Sequence, residues 1–174
     1  YEPSYQLINQ RIGDTAWTRI ILDHLKTSIL MIREGIVPSN TREGYLLRRT
    51  LRRAIIGVFL QGINLTILQE WADSLSEVID NKDLTVRQKS VITHRLGEER
   101  DSFEKLMHRS RKYLDKIVAA KELDAQHAFT LKTGMGIPED LLEEFCARHG
   151  IPFPKVEFLR LIEEHRNISR RPKK

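Results

Sequence analysis

Five arginines, Arg42, Arg48, Arg49, Arg52 and Arg53, crowd into the stretch PSNTREGYLLRRTLRRA, residues 38–54, and Asn40 stands just ahead of them. A guanidinium stays charged at any physiological pH and presents a planar fork of donors, which suits phosphate or carboxylate oxygens. Phosphates of a nucleic-acid backbone are the usual partner of such a cluster, and they supply affinity and register rather than sequence choice. Arg48 with Arg52, and Arg49 with Arg53, recur at i,i+4, so their mutual repulsion needs relief. An RNA backbone would provide it; so would acidic side chains such as Glu98, Glu99 and Asp101. Asn40, with Glu43 three residues on, also fits a variant capping box that starts a helix. Even then its amide NH₂ stays free to donate.

The elements that must carry these residues are helices. The segment TAWTRIILDHLKTSILMIREG has Ile20, Ile21, Leu25, Ile29 and Ile32 at helical spacing, with Asp14 as N-cap and Gly35 as stop. A second helix is predicted from Arg42 to about Gln61, with Leu47, Leu51, Ala54 and Val58 on one face. Arg42, Arg49, Arg52 and Arg53 fall opposite, with Arg48 at the margin. A third helix covers about Leu65 to Ile79, with Leu68, Trp71, Ala72, Leu75 and Val78 inward. A long fourth helix, N-capped by Asp83, runs from about Leu84 to Lys121, with sparse apolar positions at Val91, Leu96, Phe103, Leu106, Tyr113, Leu114 and Ile117. Asp124 caps a short helix through about Lys132, TGMG links to a helix begun by Pro138 and stopped by Gly150, and a last helix runs from Lys155 to about His165. NISRRPKK reads as a frayed basic tail. No alternating strand pattern occurs, so the expected fold is all-α: a helical bundle whose long helix links an N-terminal helical part, residues 1–121, to a small C-terminal one, residues 122–174.

The 174 residues carry a formal charge of +5, a sequence pI of about 9.4, 40% hydrophobic and 30% charged residues, the balance of a globular domain. The single cysteine, Cys146, excludes an internal disulfide and points to a reducing cytosol. No apolar run approaches the ~20 residues of a membrane span, and the start YEPSYQLINQ lacks a signal-peptide pattern. The start at Tyr rather than Met reads as a piece of something larger. His24, His94, His108, His127, His149 and His165 show no metal-ligand spacing, so no metal site is expected. No phosphate-cradling glycine motif and no nucleophile elbow is present, and the pairs Glu98–Glu99 and Glu143–Glu144 read as surface charge. No catalytic residue is expected in this chain.

Residues 23–54, DHLKTSILMIREGIVPSNTREGYLLRRTLRRA, resemble the start of the helical tRNA-recognition region of alanyl-tRNA synthetases, whose pattern is approximately ADHIR…LIADGV.PSN…GYVLRRI.RRA. The shared residues include Asp23, His24, Gly35, Pro38, Ser39, Asn40, Gly44, Tyr45, Leu47, Arg48, Arg49, Arg52, Arg53 and Ala54, without a gap. AFTLKTGMGIPEDLLEEFCARHGI, residues 128–151, resembles AF.LYDTYGFP.DLT…A.E.G, and FLRLIEEHR, residues 158–166, looks like F…M..QR. The resemblance implies a cytoplasmic class II ligase that joins alanine to its tRNA with ATP and Mg²⁺. Its aminoacylation core would lie upstream of these residues and a zinc-bearing editing domain downstream, so the resemblance implies no cofactor in the fragment itself. The partner it implies is the acceptor stem of tRNA(Ala), with no membrane involved.

By the same resemblance, Asn40 matches the asparagine that contacts a G·U wobble at the third pair, and the arginines match backbone-binding positions. Thr133 takes the place of an aspartate that accepts the projecting guanine N2 amino group. Met135 replaces a tyrosine, and Glu43 replaces an arginine, with Arg42 displaced by one. Asn40 and Thr133 are expected at one concave surface. A second reading is a helical RNA- or protein-interaction module derived from this family that no longer reads the identity pair.

Overall fold

A computed structural model describes residues 2–80 and 85–169, and the helices fall close to where periodicity puts them. They are α1 (Glu2–Ile12), α2 (Ala16–Arg33), α3 (Arg42–Leu60), α4 (Ile67–Asp80), α5 (Val86–Ala120), α6 (Ala125–Thr130), α7 (Glu139–His149) and α8 (Lys155–Ser169). A π-helical turn, Leu131–Met135, continues α6. No strand occurs among the described residues, and the fold is all-α. The chain divides into two compact units, Tyr1–Phe103 and Glu104–Lys174.

In the first unit α2 packs along α3. Ile21, Leu25, Ile29 and Ile32 on α2, and Leu47, Leu51, Ala54 and Val58 on α3, are all buried, as their spacing predicts. Gly57 permits the close approach, since a Cβ there would stand 2.8 Å from Ile21 Cγ1 and 2.9 Å from Trp17 Cε3. Both helices end in Schellman turns: Gly35 donates to the Ile32 carbonyl and Ile36 to Met31, while Gly62 donates to Phe59 and Ile63 to Val58. On α4, Leu68, Trp71, Ala72 and Leu75 are buried, and Val78 is half-buried. α1 has no counterpart in the sequence reading. It buries only Ser4 and Ile8, too few positions to make a visible stripe.

Other local differences have simple causes. Thr15, not Asp14, caps α2, exchanging bonds with Thr18 in a capping box; Asp14 instead accepts from Tyr5 Oη at 2.8 Å and pairs with Arg19 at 2.9 Å. Thr85 and Gln88 exchange reciprocal bonds at the start of α5, and the expected Asp83 cap lies outside the described residues. Residues 170–174 of the basic tail lie outside them too, but α8 extends as far as Ser169. On α5, Val91 is exposed and Ile92 is buried. The true inward line is Ile92, Leu96, Glu99, Phe103, Leu106, Ser110, Leu114 and Ile117, at spacings of three and four.

The second unit packs α6 against α8 around Ala128, Leu131, Ile137, Leu141, Leu142, Cys146 and Phe158. Asp124 caps α6 as expected, accepting the His127 N–H at 2.7 Å and facing His127 Nδ1 at 2.6 Å. The backbone bond from His127, and then its ring, hold the Asp124 carboxyl below the usual carboxylate range. Gly150, at φ 66°, ends α7.

Candidate nucleic-acid interface

The loop before α3 is built on its own backbone rather than on Asn40. Ser39 Oγ donates to the Thr41 carbonyl at 3.0 Å and accepts the Thr41 N–H at 3.3 Å, and the Ser39 N–H donates to the Gly44 carbonyl at 3.0 Å. Thr41 is the N-cap, without a side-chain cap bond. Gly44 lets the loop lie this close: a Cβ there would fall on Ser39 Oγ and stand 2.5 Å from the Val37 carbonyl oxygen. Arg42 opens the helix at φ 47°, a left-handed conformation that costs an arginine about 1 kcal/mol or more.

Asn40 is therefore not the cap of α3. Its Oδ1 accepts from Arg48 Nη1. Since a guanidinium has no acceptor, this bond also fixes which way the amide faces. The exposed Asn40 NH₂ has no partner among the described residues.

Arg48 is itself held. Its Nε donates to Glu99 Oε1 at 2.9 Å, and Arg52 Nε donates to Glu99 Oε2 at 3.2 Å. Glu99 is only 5% exposed, so the reading of Glu98–Glu99 as plain surface charge fails at Glu99. A buried carboxylate is tolerable when each oxygen meets a guanidinium, and that is the case here. Of the acidic neighbours considered, Glu99 is the one that answers the arginines; Glu98 pairs with His94 and Arg95, and Asp101 with Arg100. The sequence-predicted arginines thus divide. Arg48 and Arg52 are structural anchors, and Arg53 stands over the Trp17 ring at 6.0 Å. Arg42 and Arg49 are exposed and make no ion pair among the described residues.

Between Arg42 and Arg49 stand Tyr45 and Leu46, 51% and 52% exposed. The four residues fall at i, i+3, i+4 and i+7, so they share one face. That face offers two cations and an aromatic ring, a combination suited to phosphates and sugar or base surfaces. Tyr45 and Gly44 are functional candidates that residue typing alone misses, whereas typing offers Glu99 only as one of three acidic neighbours without choosing among them. The signal for Glu99 is its place on the inward line of α5.

Thr133 lies in the second unit, on the π-helical turn rather than in a loop. Its Oγ1 donates to the Phe129 carbonyl at 2.7 Å, which uses its only proton and leaves lone pairs facing solvent. Lys132, beside it, pairs with Glu139 at 2.6 Å and stands 5.5 Å from the Phe158 ring centroid. Gly136, at φ 80°, ends the turn. Single π turns inserted in helices occur often at functional sites.

Among the described residues no group of three or more His, Cys, Asp or Glu side chains stands together as metal ligands, and no helix is long and apolar enough to cross a membrane. The family described as tRNA synthetases class II (A) matches residues 3–174. Similar proteins include the alanine–tRNA ligase of Alkaliphilus oremlandii (strain OhILAs), 35% identical over 162 residues, which cover 87% of this chain and 18% of that protein. That of Thermotoga petrophila is 32% identical over 154 residues (87% and 18%), and that of Borrelia hermsii 28% identical over 174 (97% and 29%). The chain thus spans between 18% and 29% of the length of these relatives.

Proposed function

Because the chain belongs to the class II tRNA synthetase family that includes the alanine–tRNA ligases, we propose that it binds the acceptor stem of tRNA(Ala) and checks a G·U identity pair for ATP-dependent aminoacylation. The observation that carries this reading is the relay from buried Glu99 through Arg48 to Asn40, which presents an amide donor in a fixed orientation. In the minor groove, pyrimidine O2 and purine N3 are acceptors that such an amide can meet. Thr133, its proton spent on Phe129, offers the acceptor that a guanine N2 amino group requires. Arg42 and Arg49 supply phosphate contacts, with Tyr45 between them. In this reading Asn40 and Thr133 act on one base pair. Residues 1–121 then hold the stem and residues 122–174 complete the recognition.

Under this reading the protein is cytoplasmic. ATP, Mg²⁺ and the aminoacylation chemistry, and an editing domain with its zinc, belong to other parts of a longer chain. One observation favours the second reading, a helical interaction module that no longer reads the pair: Thr133 is a neutral acceptor, and charge-assisted bonds are roughly twice as strong. The test is competition binding of the 174-residue chain to acceptor-stem duplexes bearing G·U or G·C at the third pair. Preference for G·U supports identity reading; equal affinity favours the second reading; absence of binding removes both RNA functions.

A further inference from the structure

The second half of α5 carries a face that the reading above leaves unused. Lys105, Arg109, Lys112 and Lys116 follow at spacings of four, three and four residues, which puts them on one line along the helix. The line lies opposite the buried Leu106, Ser110, Leu114 and Ile117 and covers roughly 16 Å at the α-helical rise. All four cations are exposed, and none has a side-chain hydrogen bond or ion pair among the described residues. Asp115, on the flank, is turned to Arg111 at 3.9 Å and does not neutralise the line. Like charges at i,i+4 repel, so the arrangement gives the helix nothing by itself.

The line also leads somewhere. At its C-terminal end α5 borders a cleft of about 440 Å³ lined by Tyr113, Lys116, Ile117, Leu123, Leu131 and Met135, among others. Leu131 and Met135 belong to the π-helical turn that holds Thr133. Lys116 therefore stands across the cleft from the turn, and the other three cations extend away from it. Tyr113, 52% exposed, adds an aromatic face beside Lys112 and Lys116. Cations interleaved with an exposed aromatic ring suit a nucleic-acid backbone better than a carboxylate patch on a protein.

We propose that Lys105, Arg109, Lys112 and Lys116 form a second phosphate-tracking surface, which holds the RNA backbone next to the base pair that meets Thr133. The inference rests on the acceptor-stem reading and adds to it a set of contacts outside α3. Such contacts add affinity and register but no base discrimination. The experiment compares the wild-type chain, Lys112→Ala/Lys116→Ala and Arg49→Glu in salt titrations with G·U and G·C acceptor-stem duplexes, with circular dichroism melts as the folding control. The double variant is expected to bind roughly tenfold or more weakly at about 0.1 M salt, with its log–log salt slope reduced by about 2. Its G·U to G·C ratio and its melt should stay at wild-type values. Wild-type affinity and slope in the double variant, with both reduced in Arg49→Glu, would overturn the α5 surface and leave the acceptor-stem reading standing. Failure of the wild-type chain to bind either duplex would remove both.

Discussion

Glu99→Gln keeps the shape of the residue that Arg48 and Arg52 share and removes its charge. Losing one of two charge-assisted partners at a buried site costs about 1–3 kcal/mol, so the thermal midpoint should fall. More informative is the split in RNA binding. Arg48, released from Glu99, no longer fixes Asn40, so G·U discrimination should drop while the salt slope of binding steepens as both guanidiniums become available to phosphates. Discrimination unchanged in a folded variant would mean that Arg48 does not position Asn40. Asn40→Ala should remove most of the G·U preference, about 1–3 kcal/mol for one base-edge contact. Because Thr41 and not Asn40 caps α3, this variant should melt close to wild type, which allows its binding to be read directly. Thr133→Asp should sharpen the preference, since a carboxylate accepts from the guanine amino group with charge assistance. A strong G·U preference that survives Asn40→Ala would defeat the role given to that residue.

Helix faces were legible where apolar residues fill or dominate the inward line, as on α3 and on α2 despite its buried Thr18 and Ser28. They were illegible where apolar residues are sparse and a charged residue interrupts the line. On α5 the line includes Glu99 and Ser110, so apolar typing chose Val91 in place of Ile92 and treated a buried carboxylate as surface charge. α1 escaped notice for the same reason, having too few apolar positions to show a period. The arginine cluster was legible as a cluster, but its division into anchors and free cations depends on α5 lying against α3, a contact about fifty residues away in sequence that no local pattern encodes. Gly44 tests how firmly the loop is seated on α3. Gly44→Ala puts a methyl group onto Ser39 and near the Val37 carbonyl, so the loop has to move. The expected result is a loss of about 1–3 kcal/mol from overpacking, together with reduced G·U discrimination because Asn40 is displaced. A variant that melts and discriminates like wild type would show that the loop yields without moving Asn40.

For the molecule as a whole, the all-α class followed from the absence of strand alternation and from clear stops at Gly35 and Gly150, whereas the boundary between compact units, inside α5, left no mark in composition. Leu51→Ala should lower stability by about 2–5 kcal/mol, because Leu51 is almost fully buried between α2 and α3. A denaturant midpoint equal to wild type would mean that the core of the first unit does not depend on it. Its two probes of choice are already in place. Both tryptophans, Trp17 and Trp71, belong to the first unit, so selectively excited tryptophan emission follows that unit alone. The only thiol, Cys146, is buried in the second unit, and burial pushes its pKa up, so it reacts slowly until that unit opens. The rate of thiol alkylation and the emission shift therefore time two separate events in one unlabelled chain. Coincident midpoints would describe a single cooperative block, and separated ones two foldons that share a helix.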